Sequence, residues 1–436
     1  MSDMTNSAPS NSPYEVYDSI VGQFFRIEAR TFGERYLVKY TGYFINENTA
    51  EIYDRLAEKL KPYDLTPMFR WERDWVAAEV RAHRAADHRK DASRQVVDVQ
   101  DDRQAIILVK GIPKPAASNP RINLIMFILT LISVIWTGAA TSGVDPFKGG
   151  ATAVGLGQFF LSGLPFAISM LAILSAHEFG HYLAGRYHGA NVSLPYFLPL
   201  PYPISPFGTF GAFINMREPP KNRRVLLDIG VAGPLSGLVV AIVVLLIGLS
   251  LSKVAPLPTE IPAGSGLSLE GNSILYLLMK YVMFGQLLPH PASYGSLGPV
   301  LYWLRYFFTG QPLPLGGLDV SLHPVAWAGW GGILVTALNL IPAGQLDGGH
   351  MLYVLFGSDK ARKILPYILG ALGILGLFWT GWWLWVALIF FFGRFYAEPL
   401  DQVTTLDRRR KLLALLALLV FILVFAPIPL TEIIGR

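Results

Sequence analysis

The amino-acid sequence predicts a polytopic α-helical membrane protein of about seven transmembrane helices, preceded by a small N-terminal soluble α+β domain. Three observations carry that expectation. Hydrophobic residues make up 52% of the 436 and charged ones only 15%, whereas soluble globular chains carry charge on about a quarter of their residues. Apolar segments of spanning length follow one another from Ile122 onward. Lysine and arginine cluster on alternate sides of those segments, as orientation in a bilayer requires. The net charge of +5 is modest and sits beside apolar segments, which points to phospholipid rather than to nucleic acid.

Taken in order, residues 1–13 read as a disordered lead with neither the basic nor the apolar region of a secretory signal. Residues 14–119 read as the soluble domain. "QFFRIEART" and "RYLVKYTGYF" alternate like paired strands, "TAEIYDRLAEKL" has helical spacing, and "LTPMFRWE" and "QAIILVKG" are strand-like. The stretch "RDWVAAEVRAHRAADHRKDASRQ" is charged on most faces, so it reads as solvated, with His83 and His88 on its surface. Residues 120–436 form the membrane domain. Spans are expected at 122–141, 164–187, 225–252, 323–357, 364–379, 380–397 and 411–429. The loop 253–322 holds two further apolar stretches, read as interfacial helices or an extra hairpin. "LPYFLPLPYPISPFGTFGAFIN", residues 194–215, has too many prolines for an ordinary helix, so a re-entrant loop or strand-like hairpin is expected. Lys and Arg are denser on the side of the N-terminal domain. That asymmetry places the N-terminus in the cytoplasm of a multi-pass protein, with a prokaryotic inner membrane as the expected location.

The chemistry is concentrated in "AHEFGHYLAG", residues 176–185. His177 and His181 lie four residues apart, on one helix face, where two imidazoles can grip one zinc ion. Glu178 points about 100 degrees round the helix, so it is placed to touch a metal-activated water and not the metal. With 8 histidines in the chain, an H-E-x-x-H match by chance is a roughly one-in-a-hundred event. The bland alternative is a set of polar residues that tie helices together. At membrane depth, however, each ionisable group costs at least about 2.5 kcal/mol unless it has a partner or a function. The chain has no cysteine, so the remaining ligand must come from histidine or carboxylate.

Asp347, in "NLIPAGQLDGGH", is the expected third ligand. Pro342 breaks the helix before it, and Gly348 and Gly349 allow close backbone approach; a helix-capping aspartate is the alternative. Asn339, eight residues earlier, is expected to hold substrate backbone or stabilise an oxyanion, or else to bond neighbouring helices. Other candidates are weaker. A metzincin pattern would need glycine at 184 and histidine at 187, but Ala184 and Tyr187 stand there, and His188 is one place out of register. Glu218 lies among basic residues in a solvated loop, His290 and His323 carry no motif, and His350 is a candidate for orienting Asp347.

"HEFGH" together with "NLIPAGQLDGG" resembles the site-2 protease family of intramembrane zinc metalloproteases. By that resemblance His177, His181 and Asp347 bind Zn2+, Glu178 is the catalytic glutamate and Asn339 is the motif asparagine. The expected partners are transmembrane protein substrates and the lipid bilayer. "AGPLSG", 232–237, is similar to the family's Ala-Gly-Pro span, but Ser236 and Gly237 stand where many members have asparagine next, so no catalytic duty is assigned to it. The stretch from "LPYFLP" to "AGPLSG" is similar to the plant and bacterial branch called ethylene-dependent gravitropism-deficient and yellow-green. This implies that the Pro/Gly hairpin binds substrate as an added strand. No PDZ-like module is recognisable. The rival class is a metal or solute transporter that uses the same ligands as a transit site, a reading that leaves Glu178 without a role.

Overall fold

The computed structural model describes residues 13–76, 102–111, 119–143 and 153–435. His83, His88 and the charged stretch around them lie outside the described residues, as does 112–118 of the linker. The chain divides into two compact units.

The first unit contains Met1–Ala116 together with Glu218–Arg224 and Glu398–Leu406. Its elements are α1 (Pro13–Gly22), β1 (Phe25–Gly33), β2 (Tyr36–Phe44), α2 (Thr49–Leu60), β3 (Leu65–Trp71) and β4 (Gln104–Lys110), in an antiparallel sheet of order β1-β2-β4-β3. The 3.6-residue period of α2 puts Ile52, Leu56 and Leu60 on one stripe, and they pack on Val38, Tyr40, Ile106 and Leu108 from alternate positions of β2 and β4. The pair Lys39–Glu72, 2.8 Å apart, is also buried.

Two distant stretches complete this unit. Residues around Leu400 run parallel to β3, with the Phe69 amide donating to the Leu400 carbonyl at 3.0 Å and the Gln402 amide to the Phe69 carbonyl at 3.1 Å. On the far side, the Asp401 amide donates to the Lys221 carbonyl at 2.8 Å. Asp401 is fully buried, and its carboxylate accepts from the amides of Val403 and Thr404 at 2.8 and 2.9 Å. Val403 enters the hydrophobic core. The edge of β3 that would otherwise stand open is therefore paired within the chain.

The second unit contains Ala117–Arg217, Val225–Ala397 and Asp407–Arg436. It is built on α3 (Pro120–Thr141), α4 (Ala153–Tyr187) and α5 (Arg223–Ser250), the helices long and apolar enough to cross a membrane among the described residues. Between α4 and α5, β5 (Tyr196–Pro199) and β6 (Thr209–Phe213) form an antiparallel hairpin. Asn123 of α3 donates to the carbonyls of Leu194 and Pro195 at 2.9 Å, tying the hairpin to that helix.

After α5 come β7 (Lys253–Pro256), β8 (Gly266–Glu270), α6 (Ile274–Phe284), α7 (Gly298–Thr309) and β9 (Leu318–Ser321), with β7 paired to β9. Then follow α8 (Pro324–Asn339), α9 (Asp347–Phe356), α10 (Ser358–Gly376), α11 (Gly381–Phe392), α12 (Arg408–Val424) and β10 (Leu430–Ile434), which pairs with β8.

Beyond α3, α4 and α5, the remaining expected crossings are not shown among the described residues. The apolar stretch 323–357 is two helices, α8 and α9, because Pro342 lacks an amide hydrogen and its ring clashes with the preceding turn. Of the later helices, α11 has 12 residues and α12 has 17, short of the roughly 20 a span requires. α10 has 19 but opens with Asp359, Lys360, Arg362 and Lys363.

Candidate metal centre

His177 and His181 point from one face of α4 toward Asp347, the first residue of α9. The His177 Nε2 lies 3.4 Å from Asp347 Oδ2, and His181 Nε2 lies 3.4 Å from Asp347 Oδ1. The two Nε2 atoms are 3.2 Å apart, and the three residues form a group able to hold a metal ion. Zinc–nitrogen bonds of about 2.0–2.1 Å at a tetrahedral angle place neighbouring donor atoms roughly 3.3–3.4 Å apart. The two nitrogens are 3.2 Å apart and each lies 3.4 Å from one of the two carboxylate oxygens, separations close to that value, so the donor set fits a zinc ion.

Local chain geometry explains the convergence. A Cβ on Gly348 would lie 2.0 Å from the Leu340 carbonyl oxygen, and one on Gly349 would lie 2.3 Å from that of Gly344. Only glycine lets the first turn of α9 close on the preceding loop, and that closure brings Asp347 to the histidines. Asn339 ends α8 and does not share a helix with Asp347. The loop between the helices nevertheless returns both to one place. The Asn339 amide nitrogen lies 3.2 Å from His177 Nε2.

α5 crosses over the donors through a window of glycines. A Cβ on Gly233 would lie 2.1 Å from His181 Nε2, and one on Gly237 would lie 3.0 Å from the Cβ of His177. His181 Nδ1 donates to the Ile229 carbonyl at 2.7 Å. Since a carbonyl can only accept, this bond leaves Nε2 with its lone pair toward the donor triangle. Ser236 donates to the Ala176 carbonyl at 2.7 Å, fixing α5 to α4 one residue before His177. In the sequence this helix is legible as a span at 225–252 with no catalytic duty. Its signal was the spacing Gly230, Gly233, Gly237, which in a membrane helix marks a close approach.

Glu178 is buried, and its Oε2 has no hydrogen-bond partner. The remaining candidates stand elsewhere. His188 Nε2 lies 2.9 Å from Asp228, which is also held by Arg410 at 2.6 Å. His323 caps α8 by accepting from the Val325 amide, His290 bonds to the neighbouring Pro291 carbonyl, and Glu218 belongs to the first unit. His350 is buried with an unpartnered Nδ1.

Comparison with known families matches residues 165–376 to Peptidase family M50. Residues 165–376 carry the M50 peptidase domain. Domains of this family are membrane-embedded, which accounts for the apolar exterior of α3, α4 and α5. Among curated proteins, "Probable zinc metalloprotease EGY2, chloroplastic" of Oryza sativa subsp. indica is 31% identical over 273 residues, covering 62% of this chain and 44% of that protein. The Arabidopsis thaliana protein of the same name is 29% identical, covering 62% and 43%. "Probable zinc metalloprotease EGY3, chloroplastic" of Oryza sativa subsp. indica is 25% identical over 414 residues, covering 93% and 62%. The chain thus spans less than half the length of the first two relatives. No solved structure matches.

These relatives overturn the expected prokaryotic inner membrane with a cytoplasmic N-terminus, because they are chloroplastic plant proteins. The Lys/Arg asymmetry reports which ends share a side and carries no information on which membrane is crossed.

Proposed function

We propose that the M50 domain is an intramembrane zinc metalloprotease that hydrolyses peptide bonds within or next to transmembrane segments of membrane-protein substrates, in regulated intramembrane proteolysis. The observation that carries this reading is the convergence of His177, His181 and Asp347 at 3.2–3.4 Å, with a buried, unpartnered Glu178 oxygen on the same helix. The relatives' names support zinc as the ion and a chloroplast membrane as the address.

His177, His181 and Asp347 would hold the zinc, with the Ile229 carbonyl keeping His181 in the ligating tautomer. When bound, zinc supplies Lewis-acid activation of water and of the scissile carbonyl. Glu178 takes the proton of the attacking water and delivers it to the leaving amine. Asn339 donates its amide to the substrate carbonyl. A substrate helix must unwind for its carbonyl to be reached, and the β5–β6 hairpin offers β-type pairing that stabilises the unwound segment. About seven membrane-embedded segments surround this site, with α8 and α9 making one broken crossing.

A transit site for metal would use the same three ligands but would leave the buried Glu178 oxygen with nothing to do. Glu178→Gln decides the matter. In proteoliposomes with a model transmembrane substrate, cleavage is expected to fall by about 10²–10⁴-fold, while zinc measured by mass spectrometry stays at one per chain. Undiminished cleavage refutes the proposal.

A further inference from the structure

The helices α6 and α7 are built with their polarity reversed. On α6 the outward stripe is Ile274, Leu278 and Val282, spaced four residues apart and 44%, 55% and 69% exposed. The inward face holds Tyr276 and Lys280, both with no exposed surface. The Lys280 ammonium lies 3.6 Å from Glu270 and 3.7 Å from Asp319 and over the Tyr276 ring, while the Tyr276 hydroxyl donates to Glu270 at 2.9 Å. On α7 the outward residues are Val300, Leu301 and Leu304, and the inward ones are Tyr302 and Tyr306. Arg305, the cation of α7, folds back over the Tyr302 ring and donates to the Leu313 carbonyl.

In water the arrangement would be the opposite, because aliphatic stripes bury themselves and ammonium and phenol groups seek solvent. Neither helix can cross a bilayer, since 11 and 12 residues reach only about 16–18 Å, against a hydrocarbon core of about 30 Å. Both belong to the compact unit that holds the spanning helices, and α6 packs against α12. α12 presents its own exposed leucines, Leu412, Leu415 and Leu419, so both packed helices turn aliphatic side chains outward.

We infer that α6 and α7 are lipid-contacting half-helices, whose outward stripes rest among the acyl chains of one leaflet while the Glu270–Lys280–Asp319 cluster is sealed beneath them. The occupant of this surface is lipid. The surface is predominantly aliphatic, Tyr281 and Phe308 apart, and the helix packed beside α6 also turns leucines outward.

The chain has no cysteine, so single-cysteine spin labels carry no background. Val282→Cys and Val300→Cys, with Glu260→Cys as the loop reference, would be labelled with a nitroxide in proteoliposomes. Collision with oxygen, which concentrates in lipid, is compared with collision with a water-soluble nickel chelate. Labels at 282 and 300 are expected to favour oxygen by several-fold, and the label at 260 to favour nickel. Preference for nickel at 282 and 300 overturns the inference. So does protection from both reagents combined with dipolar broadening between labels, which would show a second copy covering the surface. The readout needs no proteolysis, so it stands apart from the peptidase reading.

Discussion

Gly233 is the residue at which the donor triangle tolerates least. A methyl group there would sit 2.1 Å from His181 Nε2, so the ring or helix α5 must move, and the Ile229 bond that sets the tautomer moves with it. Gly233→Ala should therefore weaken zinc binding about 10–100-fold, the usual cost of disturbing support around a ligand, with helix content by circular dichroism unchanged. Competition against a fluorescent chelator measures it.

Glu270 provides a second test at this scale. Burial pushes its carboxyl up to about 7, the Lys280 ammonium opposes that shift, and Asp319 adds to it. The folded state then holds this proton more tightly than the unfolded chain does. Stability from this site is complete below about 4.5 and is lost as pH rises through about 7. Thermal unfolding in detergent should show a falling midpoint from pH 5 to pH 8, with Glu270→Gln flattening the slope. The histidines and Asp347 were legible in the sequence because ionisable groups stand out against an apolar background. The glycines of α5 were not, because a small residue announces neither what approaches it nor from where.

Among the elements, α4 and the broken α8–α9 pair show what local sequence can carry. The four-residue histidine spacing and Pro342 act within a turn or two of themselves, and the β5–β6 hairpin follows from prolines that no helix accepts. The strand-like run at Leu400 was illegible, since its partner Phe69 lies more than three hundred residues away and its own sequence is short and unpatterned. Asp401 gives that docking an energetic handle. Asp401→Ala removes the acceptor for two backbone amides and the Thr404 hydroxyl, which should cost about 2 kcal/mol or more. Faster hydrogen exchange at Phe69 and Gln402 would register the loss, while the metal centre should keep its zinc.

For the molecule as a whole, composition revealed the membrane but not the number of crossings, because Gly and Pro cut the later apolar stretches into helices shorter than a bilayer. Charge asymmetry likewise left the membrane unidentified, since it reports sidedness alone. The three-part first unit makes a prediction that belongs to the whole chain. Without residues 1–111, the stretches at Lys221 and Gln402 lose the sheet they pair with, so trypsin should cut at Lys221 in the truncated protein and spare it in the full one. If both forms cut equally, the pairing does not hold in solution.

That same unit also sets an order of manufacture. Its first strands leave the ribosome early, yet the backbone that seals β3 is encoded some three hundred codons later, roughly 15 to 60 s at 5–20 residues per second. Until then the nascent chain carries an unsealed edge that chaperones can hold. A translation product truncated before Glu398 never closes it.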